Sequence, residues 1–277
     1  MTTLVPGSSC RLSEPLARHT AWRTGGVCAA WFVVHRRYAL PRVLAACRER
    51  GWRWNLLGAG TRTVARDGGV AGAVIRLGTD FATVERDGGC WTVGAAVPVP
   101  ALLAAASELG QGGLETLGAV PGTVGASLAL DPWPDVVESV SFLRRGSERE
   151  GSLEEARARG LVVTGARLRL DADRPEAVRA RVRARLDGSG TSTWVRASDQ
   201  LDPRSALTRA DLAGVRLRRV AIPPAAPEIL VNLGGGTAAD LDLLHRAAVE
   251  RVRRHRGVEL ETVIRWLGKR ESPPGRT

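Results

Sequence analysis

Three short segments carry residue types that could hold a ligand through its phosphates. Gly58-Ala59-Gly60-Thr61 follows the apolar run Trp52 to Leu57. Glycines at the end of a strand let backbone N–H groups approach a pyrophosphate, and Thr61 can donate its hydroxyl. Alone, the segment reads equally well as a tight turn. Thr63 stands where a dinucleotide fingerprint needs its last glycine, and no acid is placed to hold a ribose. The second segment, Val120-Pro-Gly-Thr-Val-Gly-Ala126, follows Gly112-Gly113-Leu-Glu-Thr-Leu-Gly118. There Pro121 fixes φ, while Gly122 and Gly125 permit close backbone approach around Thr123. It too could be a plain loop. In the third, His19-Thr-Ala-Trp-Arg-Thr-Gly-Gly26, the Trp22 ring and Arg23 guanidinium suit a stacked anionic cofactor. A buried tryptophan beside a surface arginine is the other reading.

The remaining reactive residues point away from metal and thiol chemistry. Cys10, Cys28, Cys47 and Cys90 form no CxxC pair, so zinc ligation and a disulfide framework are poor readings and no metal site is expected. They read as small buried or half-buried thiols.

The elements that must position these loops alternate between helical and strand patterns, which implies a mixed α+β protein. Tyr38 to Arg50 reads as a helix stopped by Gly51, Trp52 to Leu57 as a short strand and Ala73 to Leu77 as another. Phe81 to Arg86 and Cys90 to Ala95 pair around the Asp87-Gly88-Gly89 turn. Val99 to Leu109 is a helix with Gly110 as its stop. Val136 to Leu143 and Leu161 to Leu170 are strands flanking a polar helical stretch, and Pro175 to Leu186 is an amphipathic helix. Ile229 to Leu233 is a strand leading through Gly234-Gly-Gly236 into a helix from Thr237 to about His255, with Thr237 and Asp240 spaced as a cap. Val258 to Leu267 reads as one last strand. The boundary expected from composition lies near Leu170 to Pro175, where strand pattern gives way to a charged helix.

A chain of 277 residues, 44% hydrophobic and 25% charged, is long enough for two domains. It has no run of 18 apolar residues, so no membrane span is expected. Met1 to Ser13 lacks the basic stretch and apolar core of a secretory signal, so the cytoplasm is the expected compartment. The net charge of +11 raises nucleic acid as a partner. Lys269 is the single lysine, however, and the arginines are dispersed apart from 179–185 and 251–256, which fit the solvent faces of helices. Without stacking aromatics between them, nucleic-acid binding is not expected. Anionic small molecules fit the charge better.

In combination the motifs are more specific. His19-Thr-x-Trp-Arg-x-Gly-Gly26, Leu57-Gly-x-Gly-Thr61, Gly72-x-Val-Ile-Arg-Leu77 and Gly113-Leu-Glu-x-Leu-Gly-x-Val-Pro-Gly-Thr-Val-Gly125 occur in that order. So do Leu230-Val-Asn-Leu-Gly-Gly-Gly-Thr-Ala-Ala-Asp240 and Gly257-Val-Glu-Leu-Glu261 through Gly268. Over residues 13 to 268 the chain resembles the UDP-N-acetylenolpyruvoylglucosamine reductases, flavoproteins of peptidoglycan synthesis. The resemblance implies a two-part FAD-binding, PCMH-like domain at 13–172, with lobes near 13–78 and 79–172. It also implies a smaller α+β substrate domain at 173–268, before a flexible tail at 269–277. FAD would be held by Trp22, Arg23, Gly58, Ala59, Gly60, Thr61, Arg62, Pro121, Gly122, Thr123 and Gly125.

The same resemblance exposes departures. In the family an arginine of a Tyr-Arg-x-Ser motif, a serine of Gly-Ser-x-Phe-Lys-Asn-Pro and a glutamate in the last strand handle protons and the enolate. Tyr38 is the single tyrosine, so the first motif cannot exist; Arg149, Arg157 and Arg159 occupy that stretch. Thr193 falls at the proton-donating serine and Arg196 at the lysine, with Ala197 and Ser198 replacing Asn and Pro. Val263 falls at the glutamate. Arg62 stands where the first glycine loop usually has asparagine, and Asp131-Pro132-Trp133 where the second has Asn-Ala-Gly.

Groups of these kinds each supply several kcal/mol of transition-state stabilisation in general. The family reaction is therefore not expected, and a small-molecule substrate less polar than a nucleotide sugar is. The leading expectation is a repurposed enzyme, such as one of natural-product metabolism, that cyclises or rearranges its substrate without net redox change. Thr193 and Arg196 are its candidate catalytic residues, and Trp133, Trp194 and Val263 its cleft lining. The alternatives are an FAD and NAD(P)H oxidoreductase with a new substrate, and a non-catalytic binding or scaffold protein.

Overall fold

The computed structural model describes residues 5–188, 194–196, 202–257 and 259–269. The chain opens with β1 (Ser8–Pro15) and β2 (Val27–Val34). The β2 sequence Val-Cys-Ala-Ala-Trp-Phe-Val-Val is rich in β-branched and aromatic residues and mostly buried. In α1 (Ala39–Glu49), Ala39, Leu40, Val43, Leu44 and Cys47 form one buried stripe at helical spacing. Gly51 ends that helix in the left-handed conformation, at φ +65°. Next come β3 (Trp54–Leu56), β4 (Thr63–Ala65) and β5 (Val70–Leu77). The hairpin of β6 (Val84–Asp87) and β7 (Cys90–Gly94) closes with Asp87 opposite Cys90, as its turn residues imply.

Then follow α2 (Val99–Glu108), β8 (Gln111–Gly112) and α3 (Val124–Leu130). Beyond them lie β9 (Val137–Arg144), β10 (Ser147–Gly151), α4 (Leu153–Ala158), β11 (Val162–Arg169), β12 (Asp171–Ala172) and α5 (Pro175–Gly188). The C-terminal part holds β13 (Trp194–Arg196), α6 (Pro203–Arg209), β14 (Arg216–Leu217), β15 (Val220–Ala221) and β16 (Val231–Asn232). It ends with α7 (Ala238–Arg256), β17 (Leu260–Thr262) and β18 (Arg265–Leu267).

These elements form two compact units. The first comprises Met1–Ser13, Ala29–Ala59 and Gly72–Ser189; the second comprises Glu14–Cys28, Gly60–Ala71 and Gly190–Thr277. The first unit has two cores. In one, α1 covers a sheet ordered β1-β2-β5-β3, burying Phe32, Leu40, Ile75 and Phe81. In the other, the antiparallel sheet β10-β9-β11-β7-β6 packs Trp91, Phe142 and Leu168 against Leu102, Leu117 and Leu128. Each of these side chains is essentially excluded from water, where burying one such residue typically contributes about 1.5–3 kcal/mol. The second unit has its own core of Leu207, Ile222, Leu241, Leu244 and Val252, with Trp22 and Val64 among them.

The α+β class expected from the sequence is the class observed. The last change of unit falls at 189/190, and α5 packs beside α2 within the first unit. The expected final strand is broken into β17 and β18 at Val263 and Ile264. The polar stretch between β9 and β11 holds a strand, β10, as well as the helix α4. Among the described residues no helix is long and apolar enough to cross a membrane.

Candidate cofactor site

In the first unit the two glycine loops meet. A Cβ built on Gly58 would lie 2.6 Å from Thr123 Oγ1 and 3.4 Å from the Ala126 Cβ, so only glycine fits there. The second loop is fixed from behind by its backbone. Val99 N donates to Gly122 O (2.9 Å), Val124 N to Val97 O (2.8 Å) and Gly125 N to Ala95 O (2.9 Å). Gly122 sits at φ +114°, and a Cβ on Gly125 would lie 2.7 Å from that of Ala95. Thr123 stands immediately before α3, and its side chain caps nothing in that helix. Two glycine-bearing loops that approach this closely suit a diphosphate-bearing cofactor, which is held by close backbone approach. These residues fit FAD.

Beside this cradle, Glu115 holds the preceding loop. Its carboxylate accepts from Gly113 N (2.8 Å) and from Arg181 Nε (2.9 Å), and Arg181 also pairs with Asp173. Burial pushes this carboxyl up, but the amide bonds and the Arg181 guanidinium outweigh it and hold the group below the ordinary carboxylate value.

Farther along, Trp133 is half-buried against the core, with its indole N–H donating to Ser127 Oγ at 3.0 Å. Of the arginines in the shortened stretch, Arg149 is exposed on β10 and Arg159 pairs with Glu155. Arg157 donates from Nε to Leu128 O (2.7 Å) and from Nη2 to Asp131 O.

In the second unit the rest of the first loop is equally constrained. Gly60 sits at φ +70° with the His19 carbonyl where a side chain would begin, and Ala21 N donates to Gly60 O (3.1 Å). Trp22 is packed among core residues of this unit. Its ring is 9% exposed within the core, its Nε1 donates to Leu230 O (2.7 Å), and Asn232 Nδ2 donates to its carbonyl. Arg23 is exposed beside it, at φ +52°.

Thr61 and Arg62 are half-buried, and the Arg62 carbonyl accepts from Arg265 N at 2.8 Å where β18 runs parallel to β4. Half-buried Val263 is thereby placed two residues before that contact. Strand β13 pairs with β17, setting the Trp194 backbone opposite Thr262 and Arg196 opposite Leu260. Thr193 lies outside the described residues.

A residue that sequence reasoning missed ties this unit together. Both carboxylate oxygens of Asp67 accept from the first amides of α7, Ala238 N and Ala239 N, at 2.9 Å each. The expected Thr237–Asp240 capping box is also present. Arg66 stacks over Trp266 and faces Asp242. Nothing local in Asp67-Gly-Gly69 announces a helix far along the chain. Among the described residues no cluster could hold a metal ion.

Residues 29–131 match the family model for an FAD binding domain. With the cradle, this defines the chain as an FAD-binding protein of PCMH-like fold. It is 31% identical to the UDP-N-acetylenolpyruvoylglucosamine reductase of Rubrobacter xylanophilus, across 94% of this chain and 96% of that one. It is likewise 31% identical to that of Geobacter metallireducens, across 92% and 93%. The solved structure of the Thermus caldophilus enzyme superposes with a TM-score of 0.78, 24% identity and 94% of this chain covered. The chain belongs to the UDP-N-acetylenolpyruvoylglucosamine reductase family.

Proposed function

We propose that the chain is an FAD-dependent oxidoreductase whose substrate is less polar than the family's enolpyruvyl nucleotide sugar. The observation that carries the cofactor half of this reading is the approach of Gly58 to the Thr123 hydroxyl, so close that no side chain fits at position 58. FAD, when bound, supplies two-electron hydride chemistry. In this reading Gly58, Ala59 and Pro121 to Gly125 of the first unit hold it.

The substrate half rests on Val263, which stands two residues before β18 where the family has its glutamate. A valine there neither donates nor accepts a proton and presents an apolar wall. A polar sugar ring against it would leave hydrogen-bonding groups unmatched, at a cost of about 1–3 kcal/mol each. In this reading Thr193 supplies a hydroxyl to deliver a proton and Arg196 a charge to steady an oxyanion, and Val263 contributes apolar surface.

The spectrum of the purified protein tests the first half. A flavin absorbance band that bleaches with NADPH under anaerobic conditions is expected, and colourless protein that takes up no added FAD overturns the proposal. The second half predicts negligible turnover of UDP-N-acetylenolpyruvoylglucosamine, with a gain in Val263→Glu, since a positioned acid–base group is worth about 10²–10⁴-fold. Brisk wild-type turnover of that compound overturns it.

The same Val263 favours a second reading, in which an apolar substrate is folded into a reactive shape and rearranges without net redox change. Flavin that binds tightly yet stays oxidised in the presence of NADPH and NADH separates this reading from the first.

A further inference from the structure

We propose that Arg157 is a positioning residue for the FAD cradle, acting through α3. This rests on the cofactor reading above and adds a residue that acts through the helix it holds. The same seven-residue helix links the two places: Thr123, which meets Gly58, immediately precedes it, and its last carbonyls lie at the other end. The final carbonyls of a helix have no partner within it. Here Arg157 supplies one from outside, with Nε on Leu128 O (2.7 Å) and Nη2 on Asp131 O. A guanidinium presents two N–H groups in a fixed plane, so the pair sets the direction of α3 as well as its place.

The base of the arginine is itself held. Its helix α4 is capped by Ser152 Oγ, which accepts from Glu155 N (3.0 Å), and buries Ala156 in the core. A second tie runs along α3: Ser127 N donates to Thr123 O (2.9 Å), and the fully buried Ser127 Oγ accepts from Trp133 Nε1 (3.0 Å). Thr123 is thus connected through Ser127 and Leu128 to one tryptophan and one arginine. Without them the helix is too short to hold its own orientation, because isolated helices of this length are not stable in water. The stretch between β9 and β11 therefore spends its Arg157 on holding the cofactor loop.

The test measures FAD affinity of the apo-protein by fluorescence quenching, together with amide hydrogen exchange over residues 123–131. In Arg157→Ala, the dissociation constant should rise about tenfold or more, the factor corresponding to loss of one charge-assisted hydrogen bond. Exchange across 123–131 should quicken while that in β9 and β11 stays as in wild type. Arg157→Lys, which keeps one donor, should recover most of the affinity. Trp133→Phe keeps the ring and removes only the Nε1 donor, so it should weaken binding in the same direction by a smaller factor. Arg159→Ala, on the same helix turn, should bind FAD like wild type.

Equal affinity of wild type and Arg157→Ala, or loss of affinity with exchange at 123–131 unchanged, overturns the proposal. So does a general rise in exchange that includes β9 and β11, since it marks plain destabilisation. Should Arg157→Ala fail to fold, Trp133→Phe and Arg157→Lys decide by the same two readouts. If wild type itself binds no FAD, the cofactor reading falls, and this inference with it.

Discussion

Gly58 and Thr123 face each other so closely that the Thr123 hydroxyl occupies the space one carbon beyond the Gly58 backbone. Gly58→Ala should therefore destabilise the protein by about 1–3 kcal/mol and weaken FAD uptake. Thr123→Ala removes the colliding oxygen, so the double variant should melt closer to wild type than Gly58→Ala does. Thermal denaturation of the four proteins gives the coupling directly. Additive effects would contradict this geometry.

Asp67 receives the two leading amides of α7. Replacing such a cap with alanine costs about 0.5–2 kcal/mol, more when the cap is charged and sits at the positive end of a helix. Asp67→Ala should lie at the upper end of that range and Asp67→Asn only somewhat below it, because the amide oxygen accepts one of the two N–H groups while the NH2 cannot accept the other. Urea denaturation of both variants measures the difference.

Glu115 should make stability depend on pH. Its folded carboxyl is held below the ordinary value of 4.5 by the Gly113 amide and Arg181, against the opposing effect of burial. Its stabilisation is accordingly present above that ordinary value and is lost as pH falls through the depressed folded one. Glu115→Gln should cost about 1 kcal/mol at neutral pH and progressively less in acid. A gap in melting temperature that stays constant from pH 7 to 3 would contradict the assignment.

The thiols should divide by burial. Cys10, Cys28 and Cys47 are at most 1% exposed, whereas Cys90 is half-buried. Burial, with the neighbouring Cys10 adding to it and Arg50 opposing, pushes the Cys47 thiol up to about 11. A disulfide reagent should modify Cys90 alone in the native protein and the other three only after denaturation. Cys90→Ser should remove the native reaction.

The cofactor loops were legible in the sequence because the physical demand on them is local. A backbone that must approach another at Gly58, Gly60 or Gly125 admits no side chain, and the chain records that as glycine. The helices α1, α2 and α7 were legible for a related reason, since stripe, cap and stop lie within a few residues of one another. Strand β2 was not, because an apolar run buried on most of its length has no alternation to read. Helix α3 looked like a loop: it is seven residues long, contains Gly125 and is held at its far end by Arg157. The fate of Trp22 was open for the same reason. An indole suits a flavin or a core equally, and the Leu230 carbonyl that accepts from it is 208 residues away.

That separation bears on how the molecule is made. The second unit is stitched from Glu14–Cys28, Gly60–Ala71 and the segment after Ser189, and β4 pairs with β18, far along the chain. Emerging from the ribosome, Trp22 and Val64 must wait, uncovered, for a core that has not yet been translated. Pairings so distant in sequence close slowly. A chain truncated after α5 would therefore not leave a tidy half-protein. It would strand apolar side chains from the first seventy residues in water, as ready substrates for chaperones and proteases.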